Sequence, residues 1–233
     1  DRRTGARLMF LFLLSTLANA YVKVWAGQPR PFQVDSRVQE LFEASGFGFP
    51  SNHTQSTLVV WGYLAIQFRR AWLWALAGVL LVFVPLSRVY LGVHFPTDLL
   101  GGYVLGAAFL LLYLRLAPGV EAWLGGRRLA AQLALALLPP LALFILFPST
   151  DEQTVTSLAL FAGAGMGLAC ERRWVSFASG GPWTRQLLRF VLGVVVLLAL
   201  RYGLKAAFAG LEPEPLFRLV RYGIIGLTLG WPL

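Results

Sequence analysis

The sequence is poor in charge, in sulfur and in histidine. Charged residues fill 13% of its 233 positions, about half the share of an ordinary soluble domain. With 57% hydrophobic residues and a mean hydropathy of +0.66, that shortage argues against a soluble globular class. A single cysteine, Cys170, excludes an internal disulfide and a cysteine-built metal site, and reads as a packed helix residue. The 11 acidic residues are scattered, with no carboxylate cluster of metal-ligand spacing. No repeat, low-complexity tract or soluble domain stands out. No stretch near the start reads as a cleavable signal peptide. Opening on Asp1-Arg2-Arg3 rather than Met leaves room for helices upstream.

What the sequence does have is apolar residues in long unbroken runs. Eight segments lie near 6–22, 54–68, 71–90, 97–116, 128–148, 154–171, 187–209 and 217–232. A helix needs roughly 17–25 residues to span a bilayer. The second segment is short and needs snorkelling flanks or a start among the polar residues before it. The expected fold class is all-α, a polytopic transmembrane bundle of about eight helices. Pro139-Pro140 predicts a kink or split in the fifth. Trp25, Trp61, Trp174, Trp183 and Trp231 lie near segment ends, as interface anchors do.

The net charge is +9, from 20 Lys and Arg against 11 Asp and Glu. On a soluble chain this would point to nucleic acid. Here the basic residues sit in alternate gaps: Arg2, Arg3 and Arg7; Arg69 and Arg70; Arg115, Arg127 and Arg128; Arg172, Arg173, Arg185 and Arg189. Those gaps are expected to face the cytoplasm, and the acidic gap 148–152 the outside. Nucleic acid is not expected as a partner. In the long outer gap 23–53, Val34, Val38, Leu41 and Phe42 share one helical face opposite Asp35, Arg37, Glu40 and Glu43. This predicts a short amphipathic helix near 34–45, lying at the outer interface or packed on the bundle.

The only two histidines, His53 and His94, both fall on the expected outer side. Asp98 follows His94 by four residues, and Pro96 suits the first turn of a helix. The carboxylate is then within reach of one ring nitrogen, which would leave the other free to attack. Lys23, Arg30 and Arg88 add three cations on a side expected to be poor in them. Each suits a snorkelling anchor; together, beside two histidines, they suit a phosphate. Ser51 and the amides of Asn52 and His53 stand at a helix start, where backbone donors favour anions.

The motifs Lys23-x6-Arg30-Pro31, Pro50-Ser51-Asn52-His53 and Ser87-Arg88-x5-His94-x3-Asp98 resemble those of the type 2 phosphatidic acid phosphatase family, whose site is shared with vanadium haloperoxidases and bacterial acid phosphatases. The resemblance covers about residues 20–100. It implies that His94 attacks phosphorus to form a phosphohistidine, that Asp98 orients it, and that His53 protonates the leaving oxygen and then activates water. It implies phosphate contacts from Lys23, Arg30, Ser51, Asn52 and Arg88, and no metal or other cofactor. The family usually has Gly where this chain has Asn52, a residue that tolerates positive φ. Members usually have two helices before the first motif and end near the helix after the third; this chain has one before and about four more after.

The expected organisation is a catalytic membrane core over 1–116, and further helices of unassigned role over 117–233. The expected function is hydrolysis of a lipid phosphate or diphosphate, of the polyprenyl diphosphate, phosphatidic acid or phosphatidylglycerol phosphate type. The expected place is the bacterial inner membrane, with the site facing the periplasm or cell exterior. A lipid phosphotransferase using the same residues and a non-catalytic lipid-binding protein stay open as alternatives. Arg201, Lys205, Arg218 and Arg221 either recognise an anionic headgroup, or pair with Glu212 and Glu214 and snorkel.

Overall fold

The computed structural model describes residues 2–147, 151–175 and 180–231, and among these all regular structure is helical. The helices are α1 (Arg2–Ala26), α2 (Pro31–Val34), α3 (Asn52–Phe68), α4 (Ala71–Tyr90), α5 (Pro96–Gly125), α6 (Leu129–Leu146), α7 (Glu152–Trp174), α8 (Trp183–Ala207) and α9 (Glu214–Gly230). Setting aside the single turn of α2, each long helix covers one expected apolar segment. Six stretches, holding α1, α4, α5, α6, α7 and α8, are long and apolar enough to cross a bilayer. Helices α3 and α9 have 17 residues each, the short end of the spanning range of about 17–25. The protein is an integral membrane protein.

The chain divides into two compact units, Arg7–Val120 and Asp1–Ala6 with Glu121–Leu233. The first is built on α1, α3, α4 and α5. Leu11, Val59, Tyr63 and Leu110 form its main core. Close approach of α5 to the start of α3 depends on glycine. A Cβ on Gly102 would lie 2.7 Å from the Ser51 carbonyl oxygen, and one on Gly106 would lie 3.1 Å from that of Gln55. Small residues at this spacing let membrane helices touch backbone to backbone. Helix α4 contains Pro85, which has no N–H for the Leu81 carbonyl four residues earlier. The Tyr103 hydroxyl of α5 donates to that carbonyl instead.

In the second unit, α7 and α9 pack the same way through Gly163 and Gly167 on one helix and Gly226 and Gly230 on the other. A Cβ at any of the four would run into backbone of the facing helix. Asp151 caps α7, accepting from the Thr154 amide at 3.0 Å. Arg218 pairs with Glu214, as the sequence suggests, and also with Glu152, at 2.8 and 2.7 Å. Arg221 lies over the Tyr222 ring. Arg201 and Lys205 are exposed on α8, a helix with no buried residue.

Several expectations change. No helix forms over 34–45: one turn ends at Val34, and turns and extended backbone follow. An isolated helix of about 12 residues is marginal, and here the backbone groups find other partners. The Leu41 amide donates to the Leu91 carbonyl at 3.3 Å. The carbonyls of Ser45, Gly46 and Phe47 are taken by Arg30 and Lys23. Of the kink or split expected at Pro139-Pro140, the split does not form: α6 runs through both prolines as one helix. Helix α5 continues past the expected end at 116, so Arg115 lies within it rather than in a gap. Trp61 is inside α3, half-buried against Ala65, Leu73 and Ala77, and not at a helix end. Of the acidic gap, residues 148–150 lie outside the described residues.

Candidate active site

Every predicted site residue falls in the Arg7–Val120 unit, where the last turns of α1 and α4 meet the first turns of α3 and α5. Pro96 opens α5, and its first turn carries Asp98. The buried carboxylate oxygen Oδ2 lies 3.1 Å from His94 Nδ1 and accepts the Phe95 amide at 2.9 Å. His94 is 3% exposed and Asp98 0%, so water does not compete for the pair. With the proton on Nδ1 facing Asp98, the lone pair is on Nε2, as attack requires. Burial lowers the His94 pKa against the opposing pull of Asp98, which keeps the ring neutral at neutral pH.

The turn before His94 is held from two sides. Gly92 has φ +73°, and a Cβ there would lie 2.5 Å from the Gln39 carbonyl oxygen; only glycine fits. The Val93 carbonyl accepts from Arg30 Nη1 at 2.9 Å. Arg30 also donates from Nε to Gly46 at 3.0 Å and from Nη2 to Ser45 at 2.8 Å. Three of its five N–H groups therefore bind backbone carbonyls, which leaves one on each Nη for an anion. Lys23, likewise buried, donates to the Phe47 carbonyl at 3.0 Å. Arg88 is half-buried with its guanidinium 5.5 Å from the centre of the Phe42 ring. A ring face holds a cation without neutralising it.

His53 stands in the first turn of α3, ahead of the apolar run that begins at residue 54. Burial and the electrostatic influence of Arg88, His94, Lys23 and Arg30 lower its pKa to about 4. The side chain is exposed, so water relieves part of the burial penalty, and the ring of cations is the firmer cause. The groups whose charge acts on His53 are the same predicted site residues, Arg88, His94, Lys23 and Arg30.

Ser51 is the N-cap of α3, fully buried, accepting from the Thr54 amide at 3.4 Å and the Thr54 hydroxyl at 3.1 Å. Its oxygen serves the helix start. The first-turn amides of Asn52 and His53 have no carbonyl partner among the described residues. Asn52 is helical with negative φ, so Gly's conformational freedom is not needed there. Its side chain accepts from the Ser56 hydroxyl at 3.3 Å. Among the described residues no group of three or more His, Cys, Asp and Glu is placed to hold a metal ion.

Sequence reasoning missed a buried polar network beneath the site. Asn19 and Gln55 are both 0% exposed. Asn19 Nδ2 donates to the Pro50 carbonyl at 3.2 Å and to Gln55 Oε1 at 2.7 Å. Gln55 Nε2 donates to the Ser15 carbonyl at 2.7 Å and its hydroxyl at 2.6 Å. The signal was present: Ser15, Asn19 and Lys23 recur every four residues along an otherwise apolar helix.

Comparison with known proteins follows this geometry. Residues 4–121 match the PAP2 superfamily, and residues 155–233 match the PAP2 superfamily phosphatase transmembrane extension. Phosphatidylglycerophosphatase B of Bacillus subtilis is 36% identical over 116 residues, 45% of this chain and 55% of that protein. Undecaprenyl-diphosphatase of Sulfolobus acidocaldarius is 30% identical over 46% of this chain and 52% of that protein. Sphingosine-1-phosphate phosphatase 1 of Mus musculus is 22% identical over 98% of this chain and 63% of that protein. The chain thus spans between half and two thirds of the length of these relatives. No solved structure matches it.

Proposed function

Since the chain belongs to the PAP2 superfamily, we propose that it hydrolyses the phosphate or diphosphate of a membrane lipid through a phosphohistidine on His94. The observation that carries this reading is the buried His94–Asp98 pair at 3.1 Å, within the field of Lys23 and Arg30. A neutral, oriented imidazole beside fixed cations suits attack on an anionic phosphoryl group.

In the first step His94 Nε2 forms a bond to phosphorus as the bond to the lipid oxygen breaks. His53 delivers a proton to that oxygen. Lys23, Arg88, the Ser51 hydroxyl, the two spare N–H groups of Arg30 and the amides of Asn52 and His53 hold the phosphoryl oxygens. In the second step His53 takes a proton from water, the water oxygen attacks phosphorus, and the P–N bond breaks to return His94 and inorganic phosphate. Free His53 is neutral at pH 7, so its proton in the complex comes with the substrate. An arriving phosphate opposes the cations that depress its pKa, or transfers its own proton to the ring.

Phosphatidylglycerol phosphate, polyprenyl diphosphate and phosphatidic acid are the candidate substrates, the first two in keeping with the names of the bacterial and archaeal relatives. The catalytic part is placed in residues 1–116, with the helices of 117–233 added to it. Charge bias along the gaps favours the site opening to the periplasm or cell exterior of a bacterial inner membrane. The test is phosphate release from these three lipids by purified protein in the presence of a chelator. Release that disappears in His94→Ala supports the reading, and folded wild type that releases nothing from any of them refutes it.

A further inference from the structure

We propose that Asn19 and Gln55 are positioning residues which hold the acid His53 in register with the cation Lys23. The inference rests on the phosphatase reading above and concerns how α1 and α3 are kept from sliding past one another.

Asn19 lies one turn before Lys23 on α1, and Gln55 lies two residues after His53 on α3. Their side chains bond to each other at 2.7 Å. The other Asn19 N–H reaches the carbonyl of Pro50, just before the α3 cap, and both Gln55 N–H groups return to Ser15 on α1. All four amide N–H groups of the pair are used. The buried apolar residues of α1 are Leu11, Leu13, Leu17 and Ala20, whose contacts are not directional. Those of the amide network are: a shift of one residue strands polar groups where no water reaches them. On the far side of α3, Gly102 and Gly106 bring the backbone of α5 against Ser51 and Gln55. The first turn of α3 is thus fixed between two helices, and His53 projects from that turn.

The nucleophile has side-chain supports of its own, and the backbone bond that ties α3 to α5, from the Ser51 amide to the Asp98 carbonyl at 2.9 Å, involves neither Asn19 nor Gln55. His94 is oriented by Asp98 and by the bond from Arg30 to Val93. Loosening the Asn19–Gln55 pair therefore impairs proton delivery and spares attack. These two are separated by the leaving group. An alkoxide leaving from a lipid phosphate needs the proton, and a p-nitrophenolate does not. The ratio kcat/KM runs only through departure of the leaving group, so later hydrolysis of the phosphohistidine does not enter it.

The experiment compares wild type and Asn19→Ala, as the full chain in one detergent, on dioctanoyl phosphatidic acid and on p-nitrophenyl phosphate. The expected result is a fall in kcat/KM of about 30-fold with the lipid and less than about 3-fold with the aryl ester. Asn19→Ser, which keeps a shorter donor, is read in the same way and covers failure of the alanine variant to fold. Equal losses on both substrates, no loss on either, or failure of both variants to fold overturns the proposal. Wild type inactive on both substrates instead overturns the phosphatase reading and this inference with it.

Discussion

At the residue scale the proposed chemistry reduces to how two histidines with opposite tasks are kept apart. His94 is enclosed and its Nδ1 committed to Asp98; His53 is exposed among cations. On the proposed mechanism Asp98→Asn keeps the shape and removes the charge that orients and stabilises the ring. It is expected to lower kcat by about 10²- to 10⁴-fold with little change in thermal unfolding. Histidine NMR titration of the substrate-free protein is expected to show the His53 ring neutral through pH 6, protonating near pH 4. Arg88→Gln removes one of the positive charges that disfavour the imidazolium, so the midpoint moves up; a midpoint unchanged or lower contradicts the charge account. Much of this was legible because Asp four residues after His at a helix start has few geometric options. The Arg30 fork onto Ser45, Gly46 and Val93 was not. Its partners are carbonyls, which every residue carries, so side-chain identities give no sign of them. The place of Ser51 at a helix start was legible, since Ser is a preferred N-cap residue, and its bonds from Thr54 follow from that place.

At the scale of elements, the long helices were legible because a bilayer demands apolar runs of set length, and the gaps that orient them carry most of the charge. The segment after α2 was not. Its hydrophobic spacing fits a helix, yet the carbonyls at its end have better partners in the buried cations Arg30 and Lys23, 15 to 24 residues away in sequence. Tertiary bonds to charged donors outweigh the weak preference of a short peptide. Helix α4 gives a direct test of such long-range compensation. Pro85 leaves the Leu81 carbonyl without its helical donor, and Tyr103 of α5 supplies one. Tyr103→Phe is expected to lower stability by about 1–3 kcal/mol, measured by thermal or denaturant unfolding in detergent. Double substitution with Pro85→Ala, which restores the backbone donor, is expected to recover most of it. Equal stability of wild type and Tyr103→Phe argues against the bond.

At the scale of the molecule, the proposed site occupies one compact unit of 114 residues, Arg7–Val120. The PAP2 match over 4–121 covers nearly the same stretch, and the transmembrane extension match lies wholly in the other unit. The orientation proposed from charge bias has its own check. In a Cys170→Ser background, a cysteine replacing exposed Glu43 beside the site is expected to react with an impermeant maleimide in intact cells. One replacing exposed Gly126, between α5 and α6, is expected to react only after permeabilisation. The reverse pattern turns the site toward the cytoplasm.

The central claim is that His94 carries the phosphoryl group between lipid and water. Rapid quenching of wild-type protein mixed with ³²P-labelled lipid phosphate measures it most directly. The account predicts a protein-bound label that is stable to alkali, labile to acid and absent from His94→Ala. Label of the same kind and amount on His94→Ala, or turnover of the lipid at the wild-type rate in that variant, contradicts it.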